Sequence, residues 1–300
     1  MKILNKFNNI RINKFNNIRI NKFNNVRINK FNNVRINPTI ILLILIIGFI
    51  IGFLLKKINP EISVKNYIFI SEIKEGVEPG KKNNFIKNNF IILLTMTIDT
   101  GKTTYVNRKD IATRIADYRK SLQQWSRLPY KVIAIESSGY GNPFKDILKN
   151  SPNIQYFSLK IKHNPLKGKG YGEAQTIRYA ISKIINNNKI FIMKITGRYS
   201  PEKNLDDVIK ILLDYQPTAI IKREPHTNWD YHSEWLVSKR NFLLRLSNKC
   251  ILSCNDSKGR YFEWALMKVG KSFNNLVYTD LNIKVLPTYT GTFSTYMDKI

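Results

Sequence analysis

The string Lys194-Ile195-Thr196-Gly197-Arg198-Tyr199 closes an apolar run, Ile190 to Ile195, and puts a cation inside it. A buried cation is costly unless it is paired. Lys194 therefore needs either a structural ion-pair partner or an anionic ligand. Arg198 stands just beyond the run, and its guanidinium can grip a phosphate through two parallel hydrogen bonds. A second basic string, Lys167-Gly168-Lys169-Gly170-Tyr171-Gly172-Glu173, opens straight into a helical pattern. Its glycines allow close backbone approach, and a helix N-terminus favours an anion. The glycine spacing is not a dinucleotide fingerprint, and a plain Gly-rich connection is the competing reading.

Other strings add to this chemistry. Asp99-Thr100-Gly101-Lys102-Thr103-Thr104 contains the Gly-Lys-Thr core of a phosphate loop, but Met96 stands where the motif needs its first glycine. Glu136-Ser137-Ser138-Gly139-Tyr140-Gly141 is a polar loop suited to close ligand approach, or an ordinary turn. Residues 224–240 bring together His226, Trp229, Asp230, His232, Glu234 and Trp235. Aromatic rings, imidazoles and carboxylates in one stretch are what a sugar site uses, so His226, Trp229, His232 and Trp235 are the candidate acceptor contacts. Glu263 lies at the start of a further helix, beside the expected cleft.

The elements that must hold these groups follow from periodicity. Strands are expected at 90–98, 130–135, 154–161, 190–195 and 218–222. Helices are expected at 110–125, 171–185 and 205–213, each with an apolar stripe at helical spacing, such as Ile111, Ile115, Tyr118, Leu122 and Trp125. A last helix opens near Gly259 with Phe262, Leu266 and Val269 inward. Alternating elements of these lengths imply an α/β fold, a mostly parallel sheet with helices on both faces. In such sheets ligands bind beyond the C-terminal strand ends, where the strings above fall.

In this order the pieces resemble a Rossmann-like GT-A-type glycosyltransferase over roughly residues 89–290. The resemblance implies transfer of a sugar from a nucleotide-sugar donor to a glycan, lipid or protein acceptor, with inversion. It implies that Thr97 to Gly101 (with Asp99) and Glu136 to Gly139 (with Glu136 and Ser137) hold the nucleotide base. It also implies that Gly168 to Glu173 (with Lys169, Gly170 and Glu173) lie near the donor. Glu263 matches a carboxylate that such enzymes use as general base, with Asp230 and Glu234 as further candidates. The chain departs from the family where an Asp-x-Asp motif would bind manganese or magnesium. Its Lys194-to-Tyr199 string is similar instead to a group of lipopolysaccharide- and capsule-type transferases with a Lys-x-x-Gly-Arg-Tyr signature. That likeness implies that Lys194 and Arg198 neutralise the departing diphosphate without a metal.

Upstream, one apolar run from Ile40 to Leu55 is about long enough to cross a bilayer. Nine Lys/Arg and no acidic residue precede it, which places residues 1–37 in the cytoplasm. The expected layout is a basic tail at 1–37, a transmembrane helix at 38–57, a stem at 58–88 and a catalytic domain at 89–300. This is a single-pass type II signal-anchor arrangement, with a lumenal C-terminal domain in the endoplasmic reticulum or Golgi of a eukaryotic or virus-infected cell. The tail repeats Asn-Lys-Phe-Asn-Asn-Ile/Val-Arg-Ile, which fits neither helical nor strand period and reads as low-complexity sequence. Net charge is +28, and +19 remains once the tail's nine positive charges are set aside. That excess suits an anionic ligand, and a lumenal domain would exclude nucleic acid as partner. Cys250 and Cys254 could form one short disulfide or remain two buried thiols. Two other functions fit the layout: an anchored sulfotransferase-like enzyme using Asp99 to Thr104, and a non-catalytic glycan-binding module on a transferase-like fold.

Overall fold

The computed structural model describes residues 67–70, 73, 78–103, 106–162, 164, 167–203, 205–223, 231–289 and 296–300. All belong to one compact unit, 65–300. The octapeptide tail and the apolar run lie outside the described residues, as do His226, Trp229 and Asp230. Among the described residues no helix is long and apolar enough to cross a membrane.

The strands are β1 (Tyr67–Ile70), β2 (Phe90–Met96), β3 (Lys131–Glu136), β4 (Ile154–Ser158), β5 (Phe191–Thr196), β6 (Ala219–Arg223), β7 (Tyr231–Lys239), β8 (Leu276–Thr279), β9 (Lys284–Tyr289) and β10 (Tyr296–Lys299). The helices are α1 (Pro79–Asn89), α2 (Ile111–Ser126), α3 (Lys145–Leu148), α4 (Lys169–Tyr179), α5 (Asp206–Tyr215), α6 (Arg240–Ser253) and α7 (Phe262–Gly270). Eight strands form one sheet in the order β1-β8-β6-β7-β5-β2-β3-β4, and β9 and β10 pair separately. Every neighbouring pair in the large sheet is parallel except those of β7, which runs antiparallel to both β5 and β6.

Strand alternation sorts the core into two layers. On β2, Phe90, Ile92, Leu94 and Met96 face the side covered by Tyr118, Leu122 and Trp125 of α2 and by Val208 and Leu212 of α5. Ile91 and Leu93 face the opposite side, covered by Ala174 and Ile177 of α4, Leu243 and Leu246 of α6, and Leu266 of α7. Helix α2 starts where the sequence suggests, because the Asp110 carboxylate accepts from the Thr113 amide at 2.6 Å and satisfies an orphan donor.

Two segments differ from expectation. Part of the stem is built into the domain, since β1 pairs in register with β8, and α1 buries Phe85 and Ile86. Residues 231–239, read as part of a sugar-binding stretch, form strand β7 between β5 and β6. Trp235 on β7 is fully buried. Its indole stands in the core layer of α2 and α5, away from any acceptor, because its strand is a central one.

Candidate active site

Loops at the C-terminal ends of β2, β3, β4 and β5 enclose a cavity of about 630 Å³. Its cationic lining is Lys102, Arg114, Lys160, Lys162, Lys169 and Arg198, against two carboxylates, Asp99 and Glu173. Ser137, Asp99, Lys169, Glu173 and Arg198 are thus brought together as the sequence suggests. Gly170, Lys194, Glu136 and Glu263 are not among the lining residues.

Arg198 is 8% exposed, and its Nε has no hydrogen-bond partner. The turn that carries it is held tightly. Gly197 donates its N–H to the Thr95 carbonyl at 2.9 Å, and a Cβ at Gly197 would come within 2.3 Å of Met96 Cγ. The Tyr199 carbonyl accepts from the Trp125 indole at 3.1 Å and the Ser121 hydroxyl at 3.2 Å. The backbone that carries the guanidinium is therefore held at the cavity, and Nε is an unused donor. Thr100 also lines the cavity, at 8% exposure, with its hydroxyl unpartnered.

Lys194 takes the structural alternative. It is fully buried and forms an ion pair with Glu173 of α4 at 2.7 Å. Its ammonium also donates to the Ser233 carbonyl and lies 5.3 Å from the centre of the Phe262 ring. Glu173 accepts from the Thr95 hydroxyl at 2.8 Å. Burial pushes the Glu173 carboxyl up, but Lys194 outweighs it, helped by Lys169 and Thr95, and the group sits below the usual carboxylate range. Lys194 thus reaches the cavity only through Glu173. From the same knot, the Ser233 hydroxyl donates to Glu263 in the first turn of α7. Ser233 is available for this because β7 is irregular there: its pairing with β6 shifts register between Ile221 and Arg223.

Glu136 is fully buried and braces the loops. Its carboxylate accepts from the amides of Ile98 (3.1 Å), Ser138 (2.7 Å) and Tyr140 (3.0 Å), and from the Ser158 hydroxyl (3.1 Å). Ser137 stays at the cavity, sharing a 2.7 Å hydroxyl contact with Thr97. The N-terminus of α4 already has an anion, the Asp256 carboxylate, which accepts from the Lys169 amide at 2.8 Å. Gly168 makes this cap fit. Its φ is 84°, in the glycine region, and a Cβ there would lie 2.0 Å from Asp256 Oδ2. Gly170 permits close packing instead, with Phe262 atoms 3.2–3.3 Å from where its Cβ would stand.

The Asp99 segment is not arranged as a phosphate loop. The Gly101 amide donates to the Asp99 carboxylate at 2.8 Å, and among the described residues the next helix begins at Ile111. His232 and Glu234 pair at 3.7 Å, each about 30% exposed, outside the cavity lining. Burial pushes the Glu234 carboxyl up, but the neighbouring His232 imidazole, its own backbone amide and the charge of Lys222 bring it down to about 2. Among the described residues no group of three His, Cys, Asp or Glu could hold a metal. The cavity's carboxylates fit one poorly, since Glu173 is already committed to Lys194. Cys250 and Cys254 are separate buried thiols.

Sequence reasoning missed Arg114, Lys160, Lys162, Ser233 and Asp256. Lys160 and Lys162 follow β4, but β4 ends at Ser158, so Lys160 fell inside the strand expected at 154–161. Arg114 was hidden in a helix, where it braces the first loop by donating to the Thr97 carbonyl at 2.7 Å and to the Tyr118 hydroxyl at 2.8 Å. Ser233 and Asp256 carry no local signal, because their partners are 30 and 87 residues away.

No protein-family model matches the chain. No curated protein matches it either. Among solved structures, one that matches is described as a "putative nucleotide-diphospho-sugar transferase" from Desulfovibrio desulfuricans G20. The two are 14% identical, with a TM-score of 0.40 over 64% of this chain and 81% of the other. So loose a superposition leaves the functional reading to rest on the site itself.

Proposed function

We propose that the chain is a membrane-anchored glycosyltransferase that moves a sugar from a nucleotide-sugar donor to a glycan, lipid or protein acceptor, with inversion. The observation that carries this reading is Arg198, buried and unsatisfied at Nε, in a cationic cavity at the ends of parallel strands. A guanidinium so held is suited to the diphosphate of a nucleotide donor, with Lys169, Lys160 and Lys162 sharing its charge. The Thr97, Asp99 and Ser137 side of the cavity would hold the nucleoside. Glu263 would take the proton of the acceptor hydroxyl, with Ser233 orienting its carboxylate. Lys194 supports the site by holding Glu173 rather than by touching the donor. The reading takes residues 38–57 as the anchor and the described unit as the catalytic domain.

The test is thermal-shift screening with UDP, GDP, CMP and adenosine bisphosphate, followed by transfer assays with the sugar nucleotides of any hit. A pyrimidine or guanosine diphosphate should raise Tm. Arg198→Gln should weaken that ligand about 10- to 150-fold, the equivalent of one charged hydrogen bond, about 1.5–3 kcal/mol. Glu263→Gln should keep donor binding and lose transfer. Stabilisation by adenosine bisphosphate alone would instead favour the sulfotransferase reading. Full transfer by Glu263→Gln would remove the base assignment, and reversible loss of transfer on EDTA treatment would overturn metal-free neutralisation.

A further inference from the structure

Where the end of α6 meets α7, three cations surround one indole. Lys249 Nζ lies 5.4 Å from the centre of the Trp264 ring, Lys268 Nζ 5.8 Å, and the Arg260 guanidinium 6.0 Å. They come from α6, α7 and the turn between them. Among the described residues no carboxylate forms an ion pair with any of the three. The two acidic residues nearest in sequence are already engaged, Asp256 on the Lys169 amide and Glu263 with Ser233. Sharing one ring, the cations stand within about one Debye length of each other, so their mutual repulsion is only partly screened. The indole face offsets part of this cost, and an external anion would offset the rest.

Exposed apolar groups lie beside these cations in the chain. Leu252, one helical turn beyond Lys249, is 82% exposed, and Tyr261, beside Arg260, is 50% exposed. Nucleic acid would satisfy the cations but gives a protruding Leu no place. A bilayer interface takes all of these groups. Leu and Tyr enter below the headgroups, Trp and Tyr are at home at that depth, and Lys and Arg reach the lipid phosphates from flexible stems.

We propose that the face made by the end of α6 and by α7, centred on Trp264, docks against an anionic bilayer surface. Lys249, Arg260 and Lys268 neutralise headgroups there, and Leu252 and Tyr261 insert between them. This contact is separate from any anchoring segment at the N-terminus and does not depend on the reaction proposed above.

The full-length chain is reconstituted in phosphatidylcholine vesicles with and without phosphatidylserine, and amide hydrogen exchange is followed by mass spectrometry. Peptides covering residues 249–268 should be protected only in the anionic vesicles, whatever the basic tail does, because the readout is local. Each surface cation contributes about fivefold to such partitioning, so Lys249→Gln/Arg260→Gln/Lys268→Gln should lose it by roughly a hundredfold. Leu252→Ser/Tyr261→Ser keeps every charge and should also reduce protection. Circular dichroism melts show that both variants fold. Equal exchange in the two vesicle types would overturn the proposal. So would protection that survives Leu252→Ser/Tyr261→Ser unchanged and is matched by soluble heparin, since that behaviour belongs to a polyanion site.

Discussion

Replacing Lys194 by Met tests where its charge is spent. Met nearly fills the same volume but removes the ammonium from a site that is fully buried. Glu173, only 12% exposed at its side chain, would then keep a single described partner, the Thr95 hydroxyl at 2.8 Å. The Ser233 carbonyl would lose a donor as well. Breaking a buried ion pair from one side costs about 3–5 kcal/mol. For a domain of this size each kcal/mol is worth about 2–4 °C, so Tm should fall by roughly 6–20 °C at pH 7. The double variant Lys194→Met/Glu173→Gln leaves no unpaired charge and should recover most of the loss. The pH dependence has a definite sign. In the native chain the Glu173 carboxyl is depressed, so it contributes stability above its unfolded pKa of about 4.3, which is lost as pH falls through the lower folded value. In Lys194→Met burial is opposed only by Lys169 and the Thr95 hydroxyl, the carboxyl rises, and its penalty shrinks on acidification. The gap between the two proteins should therefore narrow from pH 7 to pH 4, read by melts monitored with circular dichroism. A loss under about 2–4 °C, or one that Glu173→Gln does not repair, would refute the assignment of Lys194 to a structural pair.

Gly168→Ala should destabilise by about 1–3 kcal/mol, because it forces a Cβ into a glycine-only conformation and onto the Asp256 carboxylate. Gly80→Ala, in an open helical position, is the control that should melt like the parent. The Glu234 carboxyl should stay ionised down to about pH 2 in a carbon-13 NMR titration, and His232→Ala should move its midpoint up toward the ordinary range. The same group contributes stability above about pH 4.3 that is lost as pH falls toward 2, so His232→Ala should flatten the stability curve across that window.

Much of the scaffold is legible along the chain because it rests on local periodicity. The stripe Tyr118, Leu122 and Trp125 faces the core, and the runs at 90–96 and 191–196 are strands that pair with each other. Arg198 was legible too, since a cation just past a strand end stands where ligands bind in a parallel sheet. Strand β7 was not. Its aromatic and charged residues suit a binding surface as well as a strand, and only its slot between β5 and β6 made it a central one. That slot buried Trp235 and bent the chain so that Ser233 meets both Lys194 and Glu263. In one dimension both cations of Lys194-Ile195-Thr196-Gly197-Arg198 are candidates for the same anion. Packing separates them: α4 brings a carboxylate to the first, and no described group satisfies Nε of the second. Ion-pair partners are chosen by distance in space, and α4 and β5 meet through a sheet whose order no local pattern encodes.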